Sequence, residues 1–383
     1  MLSWLEITQR KGQSLDMGNK KEVHYNLDNI DREGALFNLI YGERSNGKSY
    51  QVKHKKAVVK YIKTGRRFIL MRRWREEIST EKIEQYFADV DVNTLTNGKY
   101  NCIIMYRKQL YFALYDLETG KTSRGEKIGY VVALNTEQNY AGASYLDVDD
   151  IIFEEFMARG SYLPGECDKL INFWSTVDRK RYTTRVWMVG NTISRVCPYI
   201  SEWGLHKLMS TQKQGTVETI NLPTGTEDEN GKEITVKLAI EHCKSSGKSS
   251  LAFGKHRDMI NKGSWQSDPQ PHLPKSLKHY RSRFSFIFMY QEFKFVCSYL
   301  QDKESGLPVW FIKPYDGEIA EDSIVFSDQV RPSPYWQRNI YDTNFKNHKL
   351  NELFQTFRES NIFYATDLCG TDFKQVIDFS IRK

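Results

Sequence analysis

Residues 35–49 read Ala35-Leu-Phe-Asn-Leu-Ile-Tyr-Gly42-Glu-Arg44-Ser-Asn-Gly47-Lys48-Ser49. An apolar, strand-like run ends on Gly42. Four residues intervene, Gly47-Lys48-Ser49 follows, and residues 48–63 predict a helix with Val52, Val58, Val59 and Ile62 on its apolar positions and Gly65 as its stop. Strand, glycine loop and helix are the context that the phosphate-loop pattern G-x-x-x-x-G-K-[ST] requires. The glycines let successive backbone N–H groups turn toward one phosphate, and the helix N-terminus adds partial positive charge at the same point. Gly42, Gly47, Lys48 and Ser49 are therefore expected to hold ATP. Lys48 reaches the β- and γ-phosphates, and the Ser49 hydroxyl ligates Mg²⁺.

Downstream, Arg67-Phe-Ile-Leu-Met-Arg-Arg73 predicts a second strand, which makes the start a parallel α/β sheet. Residues 80–89 predict a helix. Runs at 102–106, 110–115 and 128–134 predict three strands in an antiparallel insertion. Asp149-Asp-Ile-Ile-Phe-Glu154-Glu155-Phe156 then carries an apolar run into two acids. Ligands of such folds gather at the carboxyl ends of parallel strands, where the Walker B acid sits. Glu154 is expected at the Mg²⁺ water shell, and Glu155 is expected to orient and deprotonate the attacking water. The first acid here is Glu where Asp is usual, which leaves the division of roles between the two open. A helix over 168–177 and a strand over 185–190 follow. Asn191 closes that strand where a side chain can sense the γ-phosphate, and Arg179, Arg181 and Arg185 are candidates for a transition-state arginine.

The chain has 383 residues and a net charge of +7. That length suffices for two domains. No run of 18 apolar residues occurs and the first residues lack the order of a signal peptide, so a cytoplasmic protein with no membrane partner is expected. The six cysteines are scattered with no C-x-x-C pair, which argues against a zinc site and a disulfide framework. From Lys48 to Arg75 there are eleven Lys or Arg and no Asp or Glu. A single-sign block beside a nucleotide site points to an anionic partner as well as to a solvated helix face.

Several segments together carry a family resemblance: Gly42-x-Arg44-x-x-Gly47-Lys-Ser-Tyr50, Arg72-Arg73, Ile151-Ile-Phe-Glu-Glu-Phe156, Tyr162-Leu-Pro164, Leu170 to Arg181, Gly190-Asn191 and Val196-Cys-Pro-Tyr199. The set resembles the genome-encapsidation (DNA packaging) ATPases of small tailed bacteriophages, the short branch of the terminase large-subunit family. The resemblance covers roughly residues 30–200 and weakens from 280 onward. It implies a homo-oligomeric ring, a pentamer, that pumps double-stranded DNA into a procapsid through the portal or connector. A packaging RNA is a further candidate partner. The place of action would be the host cell cytoplasm, transiently at the portal vertex. The resemblance also implies roles residue by residue. Lys48 and Ser49 match Walker A, Glu154 and Glu155 the Walker B and catalytic acids, Arg44 a loop arginine, Arg179 a trans-acting arginine finger and Asn191 the sensing position.

Residues 206–282 read as a linker and hairpin region, with strand-like runs at 217–221 and 234–240 around a polar turn. Gly247-Lys-Ser249 lacks the leading glycine of a phosphate loop and reads as linker. Residues 283–383 predict an antiparallel meander followed by helices at 344–357 and 373–379, an RNase H-like arrangement. Nucleases of that type gather carboxylates around two metals. The first strand, Arg283 to Tyr290, carries none, so a vestigial nuclease is expected. The fold class is thus α/β: an ASCE-type P-loop NTPase with a parallel-sheet core in 1–205, the linker, and a smaller α+β RNase H-like domain in 283–383. Lys275, Lys278, Tyr280, Arg281 and Arg283 suit a nucleic-acid backbone at its entrance. The expected function is an ATP-driven DNA-translocating motor subunit. The alternative is an active terminase with both ATPase and endonuclease, in which Asp302, Asp322 and Asp367 would cluster.

Overall fold

The structure is a computed structural model that describes residues 25–140, 142–158, 162–245, 265, 267–327, 336–337 and 362–381. Strand β1 (Phe37–Gly42) leads into one long helix, α1, which is α-helical over Lys48–Val52, π-helical over Lys53–Val59 and α-helical again over Lys60–Thr64. Gly65 ends it in the left-handed conformation, φ 69°. There follow β2 (Arg67–Arg72), α2 (Thr80–Phe87), β3 (Cys102–Tyr106), β4 (Gln109–Tyr115), β5 (Thr122–Ala133), β6 (Val148–Glu154), α3 (Glu166–Asp178) and β7 (Arg185–Asn191).

These strands join β8 (Thr216–Glu227) and β9 (Glu233–His242) in a nine-stranded sheet of order β3-β4-β5-β2-β6-β7-β1-β9-β8. Its centre, from β5 to β9, is parallel. β7 lies between the strand that feeds the phosphate loop and the strand that ends in Glu154, as the ASCE expectation requires. The central strands are buried on both faces, and for that reason each carries a continuous apolar stretch, 39–41 in β1, 151–153 in β6 and 186–189 in β7. On β1, Leu39 and Tyr41 enter the core on the α3 side, while Ile40 enters the core beneath α1 and α2. The result is a three-layer sandwich.

Two sequence expectations are corrected here. The strands at 102–134 are antiparallel to one another, but β5 pairs in parallel with β2, so they widen the main sheet instead of forming a separate insertion. The hairpin placed in a linker, 206–282, pairs β9 in parallel with β1. Residues 216–242 thus extend the first sheet past the boundary drawn at 205.

The second unit is a six-stranded sheet built from β10 (Tyr280–Tyr290), β11 (Phe293–Asp302), β12 (Pro308–Pro314), β13 (Val325–Ser327), β14 (Trp336–Gln337) and β15 (Ile362–Tyr364). β12, β11 and β10 are antiparallel neighbours, and β13 and β14 continue in parallel beyond β10. That order fits the RNase H-like expectation. Helix α4 (Asp367–Ile381) covers one face, where Phe373 meets Phe288 and Phe295. The helix expected at 344–357 and the Gly247-Lys-Ser249 segment lie outside the described residues.

The two units meet just past β7. Ser194 Oγ bonds Gln375 Oε1 at 2.5 Å, the Arg195 guanidinium pairs with the buried Asp372 carboxylate, and Val196 enters the core of the second unit.

Candidate active site

The carboxyl ends of β1, β6, β7 and β2 converge at one edge of the sheet. Gly47, at φ 91°, sits in a conformation that only glycine adopts without strain and turns the loop into α1. Lys48 is buried, and its Nζ donates to the Glu43 carbonyl, to Asn46 Oδ1 at 3.1 Å and to Asn191 Oδ1 at 3.3 Å. Burial lowers the Lys48 pKa, while the nearby Cys243, Glu154 and Glu43 oppose the drop. An ammonium ringed by oxygen acceptors at the mouth of a glycine turn fits phosphate oxygens. Arg44 is exposed at the tip of this loop.

Ser49 Oγ donates to Glu154 Oε2 at 3.0 Å. Tyr86 OH, from α2, donates to Glu154 Oε1 at 2.7 Å. Glu154 is 5% exposed, and burial raises its pKa against the pull of the two hydroxyls. A hydroxyl and a carboxylate, both hard oxygen donors, fit Mg²⁺.

Glu155 is different. Its backbone takes φ 59°, a conformation that costs a non-glycine residue roughly 1–3 kcal/mol, and its side chain points outward. Arg72 Nη2 lies 3.3 Å from Glu155 Oε2. The turn is held from below. Arg73, buried, donates to the Glu155 carbonyl at 3.0 Å and the Phe156 carbonyl at 2.7 Å. Its guanidinium also lies 2.9 Å from the buried carboxylate of Glu166. Tyr199 OH and Leu163 N complete the Glu166 shell at 2.9 and 2.8 Å. Gly190 allows the close fit above, since a Cβ there would meet the Phe156 ring at 2.8 Å.

The structure therefore brings Lys48, Ser49, Glu154, Glu155 and Asn191 together. It does not bring Arg179 to them. Arg179 caps the far end of α3 at φ 49° and donates to the Ala143 carbonyl at 3.0 Å. That is the opposite edge of the sheet, about 20 Å away along the seven residues of β6. Arg181 is spent on the Val148, Leu146 and Val177 carbonyls, and Arg185 pairs with Asp31.

The basic run also reads differently in three dimensions. Lys53, Lys55, Lys56, Lys60, Arg66, Arg67, Arg72 and Arg73 all pair with acids from other segments, eight of the eleven basic residues. The block is largely internal electrostatics, and it does not carry the expectation of an anionic partner. Sequence reasoning missed Tyr86 and Glu166, which lie 68 and 93 residues from the side chains they hold.

In the second unit Asp302 pairs with Lys275 at 3.0 Å, and Asp367 pairs with His272 at 2.9 Å. Among the described residues no three His, Cys, Asp or Glu side chains converge as a metal site. No helix among them is long and apolar enough to cross a membrane.

Comparison with known proteins is consistent across its parts. The family described as Podovirus DNA encapsidation protein (Gp16) matches residues 19–214, a little over half of the chain. The DNA packaging protein of Bacillus phage B103 is 31% identical over 173 residues, 44% of this chain and 48% of that protein. The DNA packaging protein of Bacillus phage phi29 is 28% identical over 182 residues, 47% of this chain and 49% of that protein. The chain thus spans about half the length of these relatives. The solved bacteriophage Phi-29 viral genome packaging motor assembly aligns over 93% of this chain and 99% of its own, with a TM-score of 0.52 at 20% identity, a likeness of fold.

Proposed function

This chain belongs to the podovirus DNA encapsidation (Gp16) family, and on that premise we propose that it is an ATP-hydrolysing motor subunit that moves double-stranded DNA into a procapsid through the portal. The observation that carries the reading is a pair of contacts at one edge of the sheet, Lys48 Nζ to Asn191 Oδ1 at 3.3 Å and, from the next residue, Ser49 Oγ to Glu154 Oε2 at 3.0 Å.

In this reading the loop from Gly42 to Gly47 wraps the ATP phosphates, and Lys48 spans the β- and γ-phosphates. Ser49 and Glu154 would hold Mg²⁺, which would supply positive charge against the phosphate oxygens. Glu155, outward-facing on its strained turn, accepts the proton of the water that attacks the γ-phosphorus. Asn191 Oδ1 faces Lys48, which leaves its amide free to donate to the γ-phosphate. Arg179 cannot reach its own subunit's loop, so it would serve a neighbour, which requires a ring. By the family resemblance that ring would be a pentamer, with a packaging RNA as a candidate partner. The second unit, with its exposed Lys278, Arg281 and Arg283, would meet DNA phosphates without reading bases.

The test is ATP turnover by the purified protein with Mg²⁺, alone and with procapsids plus duplex DNA. The pump reading expects stimulation only when both are present, and none in Lys48→Ala. Full stimulation by DNA without procapsids would instead mark an ATP-dependent loading switch.

A further inference from the structure

The acid at the end of β6 is one methylene longer than the Asp usual at that position. A Glu side chain has an extra torsion and can swing its carboxylate away from the helix that carries Ser49. In this fold it is held at both oxygens. Oε2 accepts from Ser49 at 3.0 Å and Oε1 accepts from Tyr86 OH at 2.7 Å. Tyr86 is itself fixed. Lys53, one turn along α1 from Ser49, places its ammonium 4.5 Å from the centre of the Tyr86 ring and donates to the Tyr86 carbonyl. Phe87 packs edge-on against the same ring, centroids 4.9 Å apart. Helix α1 therefore touches Glu154 twice, directly through Ser49 and indirectly through Lys53 and Tyr86.

We propose that Tyr86 is a positioning residue for the cation site: its hydroxyl occupies Glu154 Oε1, so that the longer acid presents only Oε2 beside Ser49. The inference rests on the reading of Ser49 and Glu154 as the Mg²⁺ residues. Partners that orient a metal-site carboxylate are commonly worth about 10–100-fold in metal affinity. A phenol suits the task because it donates one hydrogen bond without adding charge.

The experiment uses the full chain, ATPγS and Mn²⁺ in place of Mg²⁺. Binding of Mn²⁺ to the protein–ATPγS complex is followed by electron paramagnetic resonance. Binding of ATPγS in EDTA and the melting temperature are measured beside it. Tyr86→Phe is expected to weaken Mn²⁺ by about tenfold or more and to leave the other two measurements unchanged. Glu154→Asp should weaken Mn²⁺ in the Tyr86 protein, yet cost nothing further once Tyr86→Phe is present, because the shorter acid has no use for the second anchor. Lys53→Met, which frees the ring but keeps the hydroxyl, should weaken Mn²⁺ in the same direction and by less. It also tests the idea if Tyr86→Phe does not fold.

An Mn²⁺ affinity within twofold of wild type in Tyr86→Phe overturns the proposal. So does a parallel loss of metal-free ATPγS binding and melting temperature, which would make Tyr86 a packing residue. If the unaltered chain does not bind ATPγS, the nucleotide reading itself falls, an outcome visible in the control alone.

Discussion

Lys48 Nζ lies 3.3 Å from Asn191 Oδ1, and this contact joins the loop after β1 to the end of β7. It fixes the orientation of the Asn191 amide, so that its N–H groups point away from the ammonium. Asn191→Ala should bind ATP nearly as well as wild type and hydrolyse it about 10²-fold more slowly, the usual cost of one positioned donor. Fluorescent-nucleotide binding and steady-state turnover separate the two effects. Equal losses in both would make Asn191 a binding group only.

Glu155 gives a two-part prediction. Glu155→Gln should bind ATP and not turn over, since an amide cannot take the proton of water. Glu155→Asn should also be inactive, yet melt no lower than wild type, because Asn tolerates the left-handed backbone that Glu155 is forced into at φ 59°. Near-normal hydrolysis by Glu155→Gln would move the base to Glu154.

Arg179 faces the edge of the sheet opposite its own phosphate loop. An arginine supplied in trans is worth on the order of 10³–10⁵ in rate. Arg179→Ala should therefore bind ATP and hydrolyse it poorly. In rings mixed from Arg179→Ala and Lys48→Ala subunits, some interfaces join an intact Lys48 to an intact Arg179. Partial ATPase should return there. No recovery in rings shown to be mixed would remove Arg179 from the reaction.

Burial raises the Glu241 carboxyl to about 7, against the hydrogen bond from Tyr25 OH at 2.7 Å. In the unfolded chain it titrates at about 4.3. Between those values the folded protein keeps a proton that the unfolded chain has released, so stability falls as pH rises from about 4.3 to about 7 and levels off above. Glu241→Gln keeps an acceptor for Tyr25 and removes the titration. Its melting temperature should exceed wild type at pH 8, and the advantage should vanish near pH 4. A constant difference across that range would contradict the assignment.

The second unit should not cut DNA. Backbone N–H bonds from Ser305 and Glu304 and the Lys275 ammonium hold Asp302 down to about 2, and Asp367 accepts from Gln270 N at 2.9 Å as well as facing His272. Both carboxylates already have local partners. Supercoiled plasmid with Mn²⁺ or Mg²⁺ should stay intact. Nicking that Asp302→Ala abolishes would restore the active-terminase reading.

What the sequence made legible was local. Gly42 to Ser49 lie on one turn, and Glu154-Glu155 close one apolar run, so spacing alone placed them. The β8–β9 hairpin looks like linker in the sequence because joining β1 is a choice of partner made nearly 200 residues away in the chain, which no local pattern encodes. The basic block misled for the same reason. Asp28, Asp31, Asp89 and the acids at 147–150 neutralise it only after folding. Glu166 could have been suspected as an acid in the first turn of a helix, but nothing in its neighbourhood names Arg73 as its partner.

The short link after β7 has a mechanical side. Four residues, 192–195, lie between Asn191 and Val196, five Cα-to-Cα steps in all. Even fully extended they reach only about 17 Å. One end is bonded to Lys48, the other is buried in the second unit, and Ser194 and Arg195 are fastened to α4 between them. A tether fixed at both ends and along its length has little slack. A load placed on the second unit is thus delivered to β7, the strand flanked by β1 and β6, and spreads across both hydrogen-bond ladders. Strain from the second unit would arrive within one side chain of the nucleotide before any surface loop could absorb it.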